Sequence, residues 1–155
     1  MKNMDRLEYK EIDDYFQQLL GMKAWGASLG VGSFVTIEFG KEVKEKASNK
    51  IHGEWHLWIY MATWDVYKNQ QLILDSEDDK KKIESVLKQE IEGKTLTDYE
   101  VVSANYEIVL EFDNNLDFFT YNGKDPEDVL WMLFTPDKKV LSAGPGKVLT
   151  LEDQK

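Results

Sequence analysis

The stretch Trp55-His-Leu-Trp-Ile-Tyr-Met-Ala-Thr-Trp-Asp-Val66 decides how this chain is read. At a period of two it sets Trp55, Leu57, Ile59 and Met61 on one side, and His56, Trp58, Tyr60, Ala62, Trp64 and Val66 on the other. Both sides are apolar, which a strand tolerates only when both its faces are covered. The reading is one central strand, continued by Leu72, Ile73 and Leu74 after a turn at Lys68-Asn69-Gln70.

Working outward, Gly32-Ser-Phe-Val-Thr-Ile-Glu-Phe-Gly40 alternates Val35, Ile37 and Phe39 against Phe34, Thr36 and Glu38, as a half-buried strand does. The mixed charges of 41–50 read as an exposed loop. Downstream, Val102, Ala104, Tyr106, Ile108, Leu110 and Phe112 share a parity, so 99–112 is expected as one long strand. Asp113-Asn114-Asn115 is turn chemistry and returns the chain along Leu116 to Tyr121. Strands are expected at 129–135 and 139–142, joined at Pro136-Asp137, and another at 147–150 after Gly144-Pro-Gly146.

Two segments carry helical spacing instead. Leu7, Ile12, Tyr15, Phe16, Leu19 and Leu20 form one stripe, with Asp5 and Glu8 as an acidic capping pair, which predicts a helix over 6–20. Ser76 as N-cap and the acids after it predict a second helix over 77–91, with Ile83, Val86, Leu87 and Ile91 on its apolar face and Gly93 at its end. Helix, strands, helix, strands with short hairpin spacings is an α+β order, not a βαβ one. The expectation is a single domain over 1–155: one antiparallel sheet of about 6–8 strands, strongly twisted or partly barrel-like, carrying two helices.

Composition narrows the function classes. Nineteen Lys+Arg against 29 Asp+Glu leave a net charge of −10, with a pI near 4.7. A phosphate backbone calls for a basic face, so nucleic acid is excluded as an expected partner, and a basic protein fits better. A hydrophobic content of 42% is too rich for disorder. No cysteine is present, which removes disulfides, thiol catalysis and Cys-ligated zinc. The charge alternation of 1–10 and the lack of a long apolar run point to a cytoplasmic protein with no membrane association.

Motifs for chemistry are sparse, and no pattern calls for a cofactor. His52 and His56 would sit roughly 13 Å apart along a strand, too far to share an ion. Asp75, Glu77, Asp78 and Asp79 lack the spacing of a calcium loop and read as helix capping. The glycines form no phosphate cradle; Gly30 and Gly32 read as a bend or bulge. Pairs such as Glu38 with Glu54, or Glu107 with Glu111, supply carboxylates whose separation sequence does not show. The five tryptophans, Trp25, Trp55, Trp58, Trp64 and Trp131, are the least ordinary feature. Most read as core, while Trp58, Tyr60 and Trp64, with His56 and Asp65 beside them, are the candidate partner- or ligand-binding residues.

The 32–40 segment, Gly53-Glu-Trp-His-Leu-Trp-Ile-Tyr60 with Trp64, Ser76-Glu-Asp78, and Trp131-Met-Leu-Phe-Thr-Pro-Asp137 leading to Gly144-Pro-Gly146 together resemble a family of small uncharacterised bacterial proteins. The resemblance covers about 24–150 and implies no activity, because none is established for the family. Members often carry a basic residue after the tryptophan matching Trp64, where this chain has Asp65. In size and acidity alone the chain also resembles immunity proteins that neutralise bacterial toxins.

Three readings follow. The first is a non-enzymatic acidic binding protein, immunity-like, that covers a basic bacterial toxin. The alternative is a small-molecule-binding domain whose pocket wall is Trp58, Tyr60 and Trp64. The third is an acid–base enzyme built on Glu38, Glu54 or His56.

Overall fold

A computed structural model describes residues 2–30, 34–146 and 148–154, with side chains described from residue 10 onward. Helix α1 spans Lys2–Leu19 and α2 spans Lys80–Glu90. The strands are β1 (Ala24–Leu29), β2 (Val35–Lys44), β3 (Ile51–Ile59), β4 (Thr63–Lys68), β5 (Gln71–Asp75), β6 (Leu96–Val101), β7 (Ile108–Phe112), β8 (Leu116–Tyr121), β9 (Trp131–Phe134), β10 (Lys139–Ala143) and β11 (Leu149–Asp153). The α+β class with two helices is as expected. The strands form two sheets, however, ordered β1-β2-β3-β9-β10-β11 and β5-β4-β8-β7-β6, every pairing antiparallel.

The expected central strand over 55–66 is where the chain leaves one sheet for the other. Trp55, Leu57 and Ile59 point into the core from β3, the chain bends through Tyr60 and Met61, and Trp64 and Val66 point into the core from β4. Tyr60 and Met61 are 40% and 48% exposed, so the alternation continued across residues that no sheet buries. The expected long strand over 99–112 is likewise the hairpin β6–β7, with Val101 opposite Ile108. The 41–50 loop is shorter than expected, because β2 runs on to Lys44 and pairs there with Ile51.

Each turn has a local cause. Asn69 and Gln70 both take positive φ (51° and 66°), the backbone of a two-residue hairpin that follows the strand twist. Asn115 (φ 59°) closes the β7–β8 hairpin, and β8 begins at Leu116 as expected. α2 starts later than expected: Asp79, not Ser76, is its N-cap and accepts from Lys81 N. The Ser76 hydroxyl instead accepts from Trp64 N. Asp78 Oδ2 accepts from Asp75 N and Asp75 Oδ1 from Glu77 N, so these acids build the turn before the helix. α1 begins ahead of Asp5, which places that residue inside the helix. The side chains of Asp5, Leu7 and Glu8, the whole of Gly32, and Lys147 at the start of the expected last strand lie outside the described residues.

Both sheets turn their apolar faces to one core. α1 wedges Ile12, Phe16 and Leu19, all fully buried, between them: the Phe16 ring meets Trp131 edge-on at 5.3 Å on one side and Tyr99 at 5.3 Å on the other. α2 contributes Ile83 and Leu87 and lies against β1. Trp55, Trp64 and Trp131 are buried as core residues. Among the described residues, the buried side chains of both helices pack into this core, and neither helix is placed over the outward side of either sheet. Among the described residues no helix is long and apolar enough to cross a membrane.

Candidate functional site

The outward face of the six-stranded sheet carries an aromatic row. Parity sends Phe34, Thr36 and Glu38 outward from β2 and its start, His56 and Trp58 from β3, and Met132 and Phe134 from β9. Register then lines them up: Glu38 lies opposite His56, which lies opposite Phe134, while Trp58 stands between Thr36 and Met132. Trp58 contacts Phe34 and Phe134 with ring centroids 4.8 and 4.7 Å apart, and Tyr60 extends the row from Phe34 at 5.3 Å.

His56 is the polar centre of this face. Its Nδ1 lies 2.5 Å from Glu38 Oε1, and its Nε2 accepts from the indole N–H of Trp58. An indole nitrogen only donates, so the proton of His56 must sit on Nδ1 and point at the carboxylate. Glu38 Oε1 also accepts from Gly53 N at 2.8 Å. We predict that long-range ¹⁵N–¹H correlation will show the Nδ1–H tautomer of His56, and that Trp58→Phe, which frees Nε2, will shift the ring towards a mixture. An Nε2–H ring in the wild type would refute this bonding.

His52 and His56 are closer than strand spacing allows for, with ring centroids 5.5 Å apart. Side-chain reach closes the gap that backbone rise leaves, beside a bulge where two residues of β2, Gly40 and Lys41, oppose Glu54 alone. The Glu54 carboxylate, which falls between the two histidines in sequence, turns aside to accept from Lys41 N. The distance argument against a shared ion therefore fails, but the ring nitrogens are engaged. Nδ1 of His52 bonds Gly53 O at 2.7 Å, and its Nε2 lies 3.3 Å from Glu45 Oε1. Among the described residues no group of three or more His, Asp or Glu is placed to hold a metal.

The remaining two candidates lie elsewhere. Trp64 is 4% exposed and stacks on Phe118 at 5.2 Å inside the core, so it does not extend the Trp58–Tyr60 face. Trp64 and Tyr60 do share the rim of a shallow cleft of about 580 Å³ at the crossing between sheets, with Phe34, Glu77, Lys124 and Asp128. Asp65 faces outward from the other sheet.

That second face is acidic. Asp65 and Asp75, Glu111 and Asp117, and Asp98 and Glu111 stand directly opposite one another, with Glu100 beside them. No outward position of β4 to β8 carries Lys or Arg. Tyr67, Phe119 and Tyr121 form its apolar centre, Tyr67 edge-on to Phe119 at 5.3 Å. Burial pushes the Tyr121 hydroxyl up to about 12, aided by the charge of Asp65 and a hydrogen bond to it. Glu111 is raised above the ordinary carboxylate range, first by burial and then by Asp117, Asp98 and Glu100.

Like charges directly opposite each other destabilise a sheet by about 0.2–1 kcal/mol per pair. A carboxyl whose folded pKa is raised opposes folding while it is ionised, and its penalty disappears as pH falls through the folded value towards the unfolded one. Glu111→Gln should thus melt higher than the wild type at pH 7, with the difference gone below about pH 4. A variant equal to or less stable than the wild type at pH 7 would refute the repulsion.

Much of this face escapes sequence reading. Asp98 and Glu100 share an outward parity, as do Asp117 and Phe119, but only register shows that these strands are neighbours. Comparison with family models, with curated proteins and with solved structures finds no match to this chain.

Proposed function

We propose that this is a non-catalytic binding protein whose acidic outer face on the five-stranded sheet docks on a basic protein partner, as an immunity-like protein docks on a toxin. The observation that carries the reading is the set of unneutralised carboxylate pairs around Tyr67, Phe119 and Tyr121. A fold that tolerates such repulsion gains where a cationic partner relieves it, and flat rings supply the anchors. Acid–base catalysis is less well supported. Glu38 and His56 do meet, but His56 Nε2 is occupied by Trp58, Glu54 is turned away, and neither Glu38 nor His56 lines the cleft at the crossing between sheets.

The test compares the wild type with Asp65→Asn/Glu111→Gln/Asp117→Asn in cross-linking capture from the source cell. The wild type is expected to capture a basic protein that the variant does not. With that pair purified, the wild-type association rate should fall at least about tenfold from low to high salt, and the variant's should fall distinctly less. Equal capture by both chains, or an acidic partner, would sink the reading.

The cleft shared by Tyr60 and Trp64 favours a second reading, a small-molecule site. Saturable tryptophan quenching by a library compound, lost in Tyr60→Ala, is its expected signature, and a flat response across the library would count against it.

A further inference from the structure

A sheet edge is a row of unpaired N–H and C=O groups, and proteins usually block such rows. Three of the four edges here each have at least one outward amide capped. On β1, Gly30 N donates to Phe34 O, so Ala27 and Leu29 are the residues whose backbone faces away from β2. Their N–H groups donate to Glu92 Oε1 at 3.2 Å and Glu84 Oε1 at 3.1 Å, both from α2 or its end. On β6, Leu96 exchanges bonds with Gly21 and Met22, and Tyr99 N donates to the Asp98 carboxylate. On β5, Asp75 N donates to Asp78 Oδ2.

β11 is different. Gly144 N donates to Val148 O and Gln154 N donates to Lys138 O, so the even-numbered residues of this strand bond to β10. The N–H and C=O groups of Leu149, Leu151 and Asp153 then point away from the sheet. Among the described residues, nothing accepts from or donates to them.

We infer that β11 is a self-docking edge, on which a second copy of this chain adds its own β11 antiparallel about a two-fold axis through Leu151. The register is self-complementary: Leu151 faces Leu151, Leu149 faces Asp153 and Thr150 faces Glu152. Each outward N–H meets an outward C=O, and within Leu149–Asp153 no two like charges stand opposite. A two-fold is the closure that leaves no further edge open at the contact. Charge favours a second copy over a basic segment. Near the seam Lys138 and Lys139 balance Glu152 and Asp153, with Lys139 Nζ 2.6 Å from Asp153 Oδ1, whereas the unneutralised carboxylates gather on the opposite sheet. On the inward side the Leu151 pair would carry the apolar layer across the join, flanked by Leu149 against the Asp153 that is paired to Lys139. The inference does not rest on the acidic-face reading.

Analytical ultracentrifugation of the full chain, at near-physiological salt to screen its net charge, is expected to show a concentration-dependent doubling of mass. Amide exchange adds the location. At high concentration the amides of Leu149, Leu151 and Asp153 should slow by at least about tenfold, while Thr150 and Glu152 stay protected throughout. Asp153→Pro and Leu151→Pro each remove an outward N–H and leave the β10 ladder intact, so both should be monomeric with wild-type circular dichroism. A wild type monomeric at every concentration overturns the inference. So does a dimer that survives both substitutions, or protection of the β11 amides only on adding an extended oligolysine peptide.

Discussion

Replacing Trp131 with alanine is expected to cost about 3–5 kcal/mol, the range for truncating a buried aromatic. Trp131 is fully buried, it meets Phe16 of α1 edge-on, and its indole N–H donates to Tyr106 O at 2.7 Å. One side chain therefore joins the six-stranded sheet, α1 and the β6–β7 hairpin. For a chain of this size the loss amounts to a fall in Tm of roughly 6–20 °C. Trp131→Phe separates the two contributions: it keeps most of the ring, removes the donated bond, and should cost about 1–2 kcal/mol. Chemical denaturation of both variants checks this. Two variants within about 1 kcal/mol of the wild type would show that the sheets do not depend on this contact.

The second large effect is expected at Gly53→Ala. A Cβ there would lie 2.4 Å from Phe39 O, 2.6 Å from Trp55 O and 2.8 Å from Phe39 N. All three are backbone atoms of the bulged β2–β3 ladder, so no side chain can rotate to make room. The penalty should reach about 3 kcal/mol or more, the upper end of over-packing. It should also displace Gly53 N from Glu38 and so disturb the His56 ring, which NMR reads directly. Gly21→Ala is the control: its φ is +90° with open space around the new atom, so it carries backbone strain of about 1–2 kcal/mol without a clash. A Gly53 variant no worse than the Gly21 variant would mean the ladder can open at the bulge.

Where local chemistry marks a boundary, the elements were legible. Asp113-Asn114-Asn115, Pro136-Asp137 and Gly93 each end an element as read, and β8 begins at the expected residue. The two strands read as too long share one cause. Tyr60-Met61-Ala62 and Ser103-Ala104-Asn105-Tyr106 contain no glycine or proline, and Tyr106 itself takes positive φ (64°), which a bulky side chain seldom does. In β6 the inward residues are Tyr99 and Val101, whereas in β7 they are Ile108, Leu110 and Phe112, so the parity flips inside the turn while the letters keep alternating. The candidate site suffered from the same error. Treating 55–66 as one strand grouped Trp64 with Trp58, and the crossing between sheets separates them. Phe34 and Glu38 had the right parity to join the His56–Trp58 face, and Phe134 needed the β3–β9 pairing to be found.

That pairing has a consequence for how the molecule is made. Every strand of the five-stranded sheet lies in sequence between β3 and β9, so His56 meets Phe134 only after the whole intervening unit has emerged. Closing so long a loop is entropically late, and long-range pairing of this kind slows folding. During synthesis the 63–121 segment can pair within itself by hairpins, while β3 waits with a vacant side. The nascent chain is therefore most exposed to mispairing in the interval before 131–134 appears, and a chaperone that shields β3 would act in that interval.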